Sequence, residues 1–237
     1  VFFANRAFEG TNLYTAEDMP DIDYLLISHD HWDHLDYATA TALRSKVGQV
    51  VCPLGVGAHF EAWGYGKETV FEGDWYSVLE GKDGFAIHIL PARHFSGRSL
   101  TRNKTLWAGF ALVTPERRIF FSGDSGYGKH FAEIGARFGG FDLAMLDCGQ
   151  YDENWRYVHM MPEDTAQAAE DLRARALLPG HVGKFAIAYH TWDDPFKRIV
   201  AASRGKPYRL LLPLIGEPVA LPIASDGEIL RWWEAGR

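Results

Sequence analysis

The sequence predicts an α+β protein in which two β-sheets pack face to face and helices cover their outer sides. Strand-like apolar runs alternate with helix-like segments along the chain, which indicates layers of both kinds. The strands are also grouped into two hairpin-rich halves, with turns at Gly81-Lys82-Asp83-Gly84 and Pro115-Glu116-Arg117. A length of 237 residues suits one large domain with a substantial core, so we expect residues 1–237 to form a single domain.

Each predicted element follows from a local pattern. The apolar run 22–27 is typical of a buried strand, and Asp36 is placed to cap the helix that follows it. Pro162 suits the first turn of another helix, whereas the apolar, proline-broken stretch 210–223 predicts closing strands. The predicted strands cover residues 22–27, 49–53, 68–79 (as one or two strands), 85–90, 105–114, 118–122, 141–146, 175–178 and 210–223. The predicted helices cover residues 36–47, 55–64, 129–138, 162–174 and 193–203.

Composition and charge argue against several classes of function. The net charge of −7, from 24 basic and 31 acidic residues, disfavours a general nucleic-acid binder and a polybasic membrane anchor. No apolar run approaches the roughly 20 residues that cross a bilayer. The two cysteines, Cys52 and Cys148, lie far apart and lack metal-site spacing. This usage predicts reduced, mostly buried thiols in a cytoplasmic protein.

The segment Ser28-His-Asp-His-Trp-Asp-His-Leu-Asp36 follows directly after the first predicted strand. If the extended geometry persists, His29, His31 and Asp33 point to the same side, because side chains two residues apart share a face. A turn after Asp33 would bring His34 toward the same point. Imidazole nitrogens and carboxylate oxygens that converge in this way are the ligands of zinc or a similar divalent transition metal.

The pattern His-x-His-x-Asp-His resembles the signature of the metallo-β-lactamase fold. The longer string from Ser28 to Asp36 resembles the branch of N-acylphosphatidylethanolamine-hydrolysing phospholipase D and the L-ascorbate-6-phosphate lactonases. The resemblance covers nearly the whole chain and implies a four-layer αββα sandwich. Val1-Phe2-Phe3 is similar to the end of a family segment, Asp-Pro-Val-Phe. We therefore expect the amino-terminal strands of the fold to lie outside this sequence, which leaves a targeting signal open.

The resemblance also implies a dinuclear metal site built from residues along most of the chain. The residues it assigns to the first metal are His29, His31 and His94, those it assigns to the second are Asp33, His34 and His181, and Asp124 bridges the two. Two Zn²⁺ ions are expected, with Mn²⁺ or Fe²⁺ as alternatives, because an all nitrogen-and-oxygen ligand set is less selective than one with a thiolate. His159 and His190 match positions that line the pocket in the phospholipase-like branch.

A basic loop surrounds the expected ligand His94. Arg93 and Arg98, together with Arg102 and Lys104, could receive a phosphate or carboxylate of the substrate. A solvated basic loop with no substrate role explains the same charges, and the sequence favours neither interpretation. Arg93 and Arg98 are the predicted substrate-binding residues.

The leading hypothesis is a dinuclear metal-dependent hydrolase in which a metal-bridging hydroxide attacks an ester bond. The expected substrate is a small-molecule or lipid-like ester, either a phosphodiester or a phosphorylated lactone. Asp33 would orient the hydroxide or take its proton, and His159 or His190 would protonate the leaving group. The oligomeric state is not indicated by the sequence.

Two other functions are compatible with the same fold. A nuclease would need an extended basic track for phosphates, and no dense Lys/Arg run is present. A non-catalytic metal-binding protein would keep the ligands without turnover, although a complete set of ligands argues against a decayed enzyme. A diiron redox role would require a flavin module that this sequence lacks, and the motifs do not resemble those of the β-lactamases themselves.

Overall fold

A computed structural model describes residues 7–98, 100–222 and 231–234, and all structural statements below refer to them. The strands are β1 (Ile22–Leu26), β2 (Val47–Pro53), β3 (Val70–Gly73), β4 (Val78–Glu80), β5 (Ala86–Leu90), β6 (Gly109–Val113), β7 (Arg118–Phe121), β8 (Leu143–Asp147), β9 (Ala176–Gly180) and β10 (Arg209–Leu210). The α-helices are α1 (Tyr37–Leu43), α2 (Gly57–Ala62), α3 (His130–Phe138), α4 (Pro162–Asp171) and α5 (Asp194–Ala202).

The strands form two separate sheets. The smaller sheet is parallel, with the order β1-β2-β3. The larger sheet has the order β10-β9-β8-β7-β6-β5-β4. Its strands β4 to β7 are antiparallel neighbours and its strands β7 to β10 are parallel neighbours. Both predicted hairpins are therefore confirmed, as β4–β5 and β6–β7.

The alternation of side chains along β2 shows how the two sheets are stacked. Val50 packs with Ala40 of α1 and Phe60 of α2, on the outer side of the small sheet. Val51, the next residue, points to the opposite face and packs with Ile87 of β5 and residues of β6. The two valines are fully buried, so the small sheet has helices on one side and the large sheet on the other.

Helices α3, α4 and α5 cover the outer face of the large sheet. Phe131 and Ile134 of α3, Ala168 of α4 and Ile199 of α5 are buried in one cluster with Phe120 of β7. The order of layers is thus helix, sheet, sheet, helix, which confirms the four-layer αββα sandwich. Among the described residues, no helix combines the length and the apolar character needed to cross a membrane.

The helix starts agree with their sequence signals. Asp36 caps α1, because its carboxylate accepts the backbone N–H of Thr39 at 2.7 Å. Pro162 is the first residue of α4, as its missing N–H favours. The helix predicted for 36–47 ends at Leu43, and Val47 already belongs to β2.

One strand prediction differs from the structure. The closing strands expected at 210–223 are wrong for the described part, since β10 ends at Leu210 and residues 211–222 contain no strand. Pro213, Pro218 and Pro222 interrupt this stretch, and proline cannot donate to a β-ladder. The stretch 68–79, predicted to form one or two strands, forms two, β3 and β4, which belong to different sheets. The expectation about Val1-Phe2-Phe3 lies outside the described residues.

Candidate metal centre

The predicted ligands lie in loops at one edge of the two sheets. His29, His31, Asp33 and His34 follow β1 in the small sheet. In the large sheet, β5, β7, β8 and β9 all run in one direction, because β6 lies antiparallel between β5 and β7. Their carboxyl ends therefore meet at the same edge. The loops after three of these strands carry His94, Asp124 and His181, which the sheet order brings to the segment after β1.

His29, His31 and His94 form the first ligand cluster. Nδ1 of His31 lies 2.9 Å from Nε2 of His29 and 3.1 Å from Nε2 of His94. Burial lowers the pKa of His29 well below its usual value and lowers that of His94 to about 4. Both imidazoles are consequently neutral near pH 7, which is the form that binds a metal ion.

Asp33, His34, Asp124 and His181 form the second ligand cluster. Oδ2 of Asp33 lies 3.3 Å from Nε2 of His34 and 3.3 Å from Nε2 of His181. Burial alone would raise the pKa of Asp124, but His181 and His34 hold that pKa well below its usual value. The second cluster therefore contains two carboxylates and two imidazoles within reach of one cation.

Asp124 contacts both clusters. Its Oδ2 lies 3.0 Å from Nε2 of His34 in the second cluster. The same atom lies 3.9 Å from Nε2 of His29 and 3.8 Å from Nε2 of His94 in the first cluster. The carboxylate is buried between the two groups, the position that a bridging ligand would take.

Two buried nitrogens test whether these residues fit metal ions. Nε2 of His34 and Nδ1 of His181 have no hydrogen-bond partner of suitable geometry among the described residues, although carboxylate oxygens lie close to both. Despite burial, Asp124 raises the pKa of His34 to about 9 and that of His181 well above its usual value. In the absence of a cation, the carboxylates favour the protonated form of both imidazoles. A bound divalent cation would take the place of these protons. The donor set therefore fits divalent transition metals.

Asp147 also lies at the site, although it is not among the residues that the sequence predicts there. Its carboxylate is buried, and Oδ2 accepts a hydrogen bond from Nδ1 of His159 at 2.9 Å. Oδ1 lies 3.4 Å from Nδ1 of His181. A signal was available, because the predicted strand 141–146 ends at an aspartate in the same way as the strand before Asp124.

The two further histidines have different positions. His159 lies against the metal-ligand clusters, with its ring 5.1 Å from that of His94 and stacked at 5.3 Å on that of His181. His190 instead contacts the backbone, because Nε2 accepts the N–H of Gln150 and Nδ1 lies 2.9 Å from the carbonyl oxygen of Thr191. His159 therefore lies at the site, whereas both ring nitrogens of His190 interact with backbone groups.

A cavity of about 480 Å³ opens over the two clusters. Its floor is polar and its walls are largely apolar. The lining residues are His31, Asp33, Phe95, Arg102, Asp124, Gln150, Trp155, Val158, His159, His181 and Ile187. A polar floor under apolar walls suits a substrate with a polar reacting group and an apolar portion.

The predicted substrate-binding arginines do not line this cavity. Nη1 of Arg98 donates to the carbonyl oxygens of Asp30 and Leu35, and its guanidinium lies 3.9 Å from the ring centre of Trp32. Arg93 donates to the carbonyl of Tyr127. Both are held by neighbouring backbone, so the structure places them outside the cavity. The guanidinium at the cavity is that of Arg102, 5.1 Å from the ring centre of Phe95.

The four-layer fold and the two ligand clusters together are those expected of a metallo-β-lactamase-type domain. The chain belongs to the beta-lactamase superfamily, because the family described as "Beta-lactamase superfamily domain" matches residues 3–182. An uncharacterized protein of Mycobacterium tuberculosis is 42% identical over 219 residues, covering 91% of this chain and 58% of the relative. N-acyl-phosphatidylethanolamine-hydrolyzing phospholipase D 1 of Caenorhabditis elegans is 35% identical over 183 residues, covering 72% of this chain and 51% of the relative.

A solved structure agrees with this assignment of the fold. Isothiocyanate hydrolase from Delia radicum gut bacteria superimposes with a TM-score of 0.67 at 19% identity, covering 86% of this chain and 78% of that chain. The chain spans a little over half the length of the two relatives named above, 58% and 51%.

Proposed function

We propose that this chain hydrolyses a phosphodiester bond in a small or lipid-like ester, using two Zn²⁺ ions, with Mn²⁺ or Fe²⁺ as substitutes. The observation that carries the proposal is the pair of ligand clusters, shared through Asp124, at the floor of a cavity with apolar walls. The phospholipase D relatives support a phosphodiester as the substrate bond.

The cations would be held by two sets of residues. His29, His31 and His94 would hold the first, Asp33, His34 and His181 the second, and Asp124 both. When bound, two cations in such a site would supply the Lewis acidity that lowers the pKa of a water molecule and withdraws charge from a phosphoryl oxygen. A serine or cysteine nucleophile is then unnecessary, and the buried thiols of Cys52 and Cys148 agree with this.

The chain's own residues would orient the reactants. The Asp33 carboxylate lines the cavity and would accept a proton from the attacking water. His159 lines the same cavity and would give a proton to the leaving oxygen. Arg102 would attract the negative charge of the phosphodiester, and Phe95 and Trp155 would contact an apolar portion of the substrate.

An assay panel would test this function. The full chain would be stripped with a chelator, reloaded with Zn²⁺ or Mn²⁺, and given bis(p-nitrophenyl) phosphate, a glycerophospholipid with an N-acylated ethanolamine headgroup, and a set of phosphorylated lactones. We expect metal-dependent release of a phosphomonoester from at least one diester. Turnover of the lactones alone would overturn the phosphodiester assignment, and turnover of none by protein with two bound metals would overturn hydrolysis of these esters.

Asp124→Ala tests the bridging role proposed for Asp124. We expect it to lose one metal equivalent and to lower turnover by more than about 100-fold, because removal of a ligand disturbs the metals more than removal of a residue that supports a ligand. Circular dichroism should show an unchanged fold. Asp142→Asn, directly before the start of β8, is the control and should keep both the metals and the turnover. Full metal content in Asp124→Ala would contradict the bridging role.

A further inference from the structure

We propose that Asp147 is a positioning residue for the reaction: it fixes the imidazole of His159 with the proton on Nδ1, so that Nε2 faces the cavity. The proposal rests on the proposed function for its catalytic consequence, but the positioning itself can be measured without turnover. Its starting point is a fully buried carboxylate that the ligand assignment does not use.

The contact between the two side chains determines which nitrogen carries the proton. Oδ2 of Asp147 lies 2.9 Å from Nδ1 of His159. An ionised carboxylate only accepts hydrogen bonds, so Nδ1 of His159 must donate. In a neutral imidazole the other nitrogen, Nε2, is then an acceptor. Among the described residues none forms a hydrogen bond with that nitrogen, and the His159 side chain lines the cavity.

Asp147 is itself held rigidly. Its carboxylate accepts the N–H groups of Ser125, at 3.2 Å, and Gly149, at 3.5 Å. Its backbone N–H donates to Oγ of Ser122, and its carbonyl accepts from Oγ1 of Thr165. The residue ends β8, which lies between β7 and β9 in the sheet. A carboxylate fixed on a central strand can therefore set the orientation of a side chain that comes from a loop.

The position of His159 favours a role in proton transfer rather than in packing alone. Its side chain is 14% exposed, whereas that of Asp147 is 0% exposed. The aspartate thus lies behind the imidazole and the cavity lies in front of it. With Nδ1 protonated by this arrangement, an imidazolium formed by uptake of a second proton on Nε2 would return that proton to the leaving oxygen.

A competing explanation is that Asp147 and His159 ligate a metal themselves. Ligand atoms of Asp124, Asp147, His159 and His181 also come within 4.8 Å of one another, so these residues could hold a cation. The hydrogen bond to Asp147 occupies Nδ1 of His159 and favours positioning. Metal content distinguishes the two explanations, because removal of a ligand lowers the metal-to-protein ratio and removal of a positioning group does not.

The first experiment uses the zinc-loaded wild-type protein. Nitrogen-15 NMR of histidine-labelled protein reports which ring nitrogen carries the proton, and His159→Gln assigns the signal of His159. We expect His159 to be protonated on Nδ1 and not on Nε2. A neutral imidazole with its proton on Nε2 instead of Nδ1 would overturn the proposal, whether or not a substrate has been found and whether or not any Asp147 variant folds.

The second experiment is a double-mutant cycle with Asp147→Asn and His159→Gln. We expect Asp147→Asn to change the protonated nitrogen of His159 and to lower kcat by about 100-fold, at the lower end of what a positioned acid–base group contributes. The value of KM and the metal content should stay unchanged. In the His159→Gln background, Asp147→Asn should cost almost nothing further, because the residue it positions is already absent.

Asp142→Asn is the matched control, because it changes a partly exposed aspartate directly before the start of the same strand. It should leave kcat and the His159 signal unchanged. Loss of metal in Asp147→Asn, or an equal loss of kcat in both backgrounds, would overturn the positioning role. If the wild-type protein hydrolyses nothing, the proposed function fails, whereas the NMR result still decides the inference about Asp147.

Discussion

At the scale of one residue, Arg102 shows that the fold determines which of several cationic side chains in a loop lines the cavity. The loop after β5 carries Arg93, Arg98, Arg102 and Lys104, and each of these side chains could attract an anionic group. Only the fold separates them, because Arg93 and Arg98 bind backbone carbonyls and Arg102 lines the cavity. Charge alone is therefore a weak guide to a substrate contact, since long cationic side chains also satisfy buried carbonyls.

We expect Arg102→Ala to raise KM for an anionic diester by about 10- to 100-fold and to change kcat little, because a charge-assisted hydrogen bond contributes roughly 1.5–3 kcal/mol. Steady-state kinetics would measure this. Lys104→Ala removes a cation from the same loop outside the cavity lining and should leave KM unchanged. Equal effects of the two substitutions would indicate general attraction of anions instead of a contact with Arg102.

At the scale of elements, hydrogen bonds connect the loop after β5 to the loop after β1. Asp30 accepts the N–H of Gly97 at 2.7 Å, and Arg98 donates to the carbonyls of Asp30 and Leu35 while stacking on Trp32. These bonds join the loop that carries His94 to the segment that carries four other ligands. Because the two loops follow strands of different sheets, these hydrogen bonds fix the distance between His94 and the predicted ligands after β1.

Arg98→Ala should loosen this connection. We expect a loss of about 2–3 kcal/mol in the free energy of unfolding, from the hydrogen bonds to charged groups and the contact with an aromatic ring. We also expect metal affinity to fall by about 10-fold, as for other residues that support ligands. Urea denaturation and chelator competition would measure the two effects. Lys104→Ala again serves as the control. Unchanged metal affinity in Arg98→Ala would show that the hydrogen bonds of Arg98 do not position the ligands.

The first residue of α3 gives the fold a dependence on pH. Burial, with a smaller effect of Arg93, lowers the pKa of His130 to about 4. The unfolded chain takes up a proton near pH 6.5, whereas the folded protein does so only near pH 4. The stability that neutral His130 contributes is therefore complete above pH 6.5 and is lost as the pH falls from 6.5 to about 4.

His130→Gln should remove this dependence. Between pH 7.5 and pH 5 we expect the wild type to lose about 1–2 kcal/mol more in the free energy of unfolding than the variant. Urea denaturation at the two pH values would show it, and effects of acid on the metal ligands cancel in the comparison. Lys129→Gln, which changes the exposed neighbouring residue and keeps His130, should behave as the wild type. A wild-type loss no larger than that of His130→Gln would disprove the prediction.

At the scale of the whole molecule, each ligand cluster combines residues from both sheets. His29 and His31 follow the small sheet and His94 follows the large one. Asp33 and His34 likewise meet Asp124 and His181. A cation bound in either cluster would join the two halves of the sandwich at this edge. Metal binding and the stability of the fold are therefore expected to be linked.

Removal of metals should lower the melting temperature. Ligands bound only by the folded state stabilise it by mass action, and about 3–4 kcal/mol corresponds to roughly 10 °C in a protein of this size. Differential scanning calorimetry before and after chelation would measure the shift. Zn²⁺ should restore the melting temperature, and Mg²⁺, which prefers oxygen ligands, should not. An unchanged melting temperature on removal of a stoichiometric metal would contradict the linkage.

The sequence by itself determined the alternation of elements and the chemistry of the ligands. Apolar periodicity located most strands and helices to within a few residues, because burial on one face imposes a local repeat. The spacing of His29, His31 and Asp33 after a strand similarly predicted converging ligands, since neighbouring residues in a chain remain neighbours in space. The remaining ligand positions came from family resemblance, and the structure brings those side chains together as expected.

Only the tertiary structure decided which distant side chains work together. Asp147 meets His159 because the order of strands β7, β8 and β9 places their carboxyl ends side by side, and no local pattern records that order. Whether Arg98 or Arg102 faces the cavity depends likewise on which backbone carbonyls lie within reach after the sheets have packed. Local sequence specifies local conformation and chemical type, whereas contacts between distant segments exist only once the two sheets have come together.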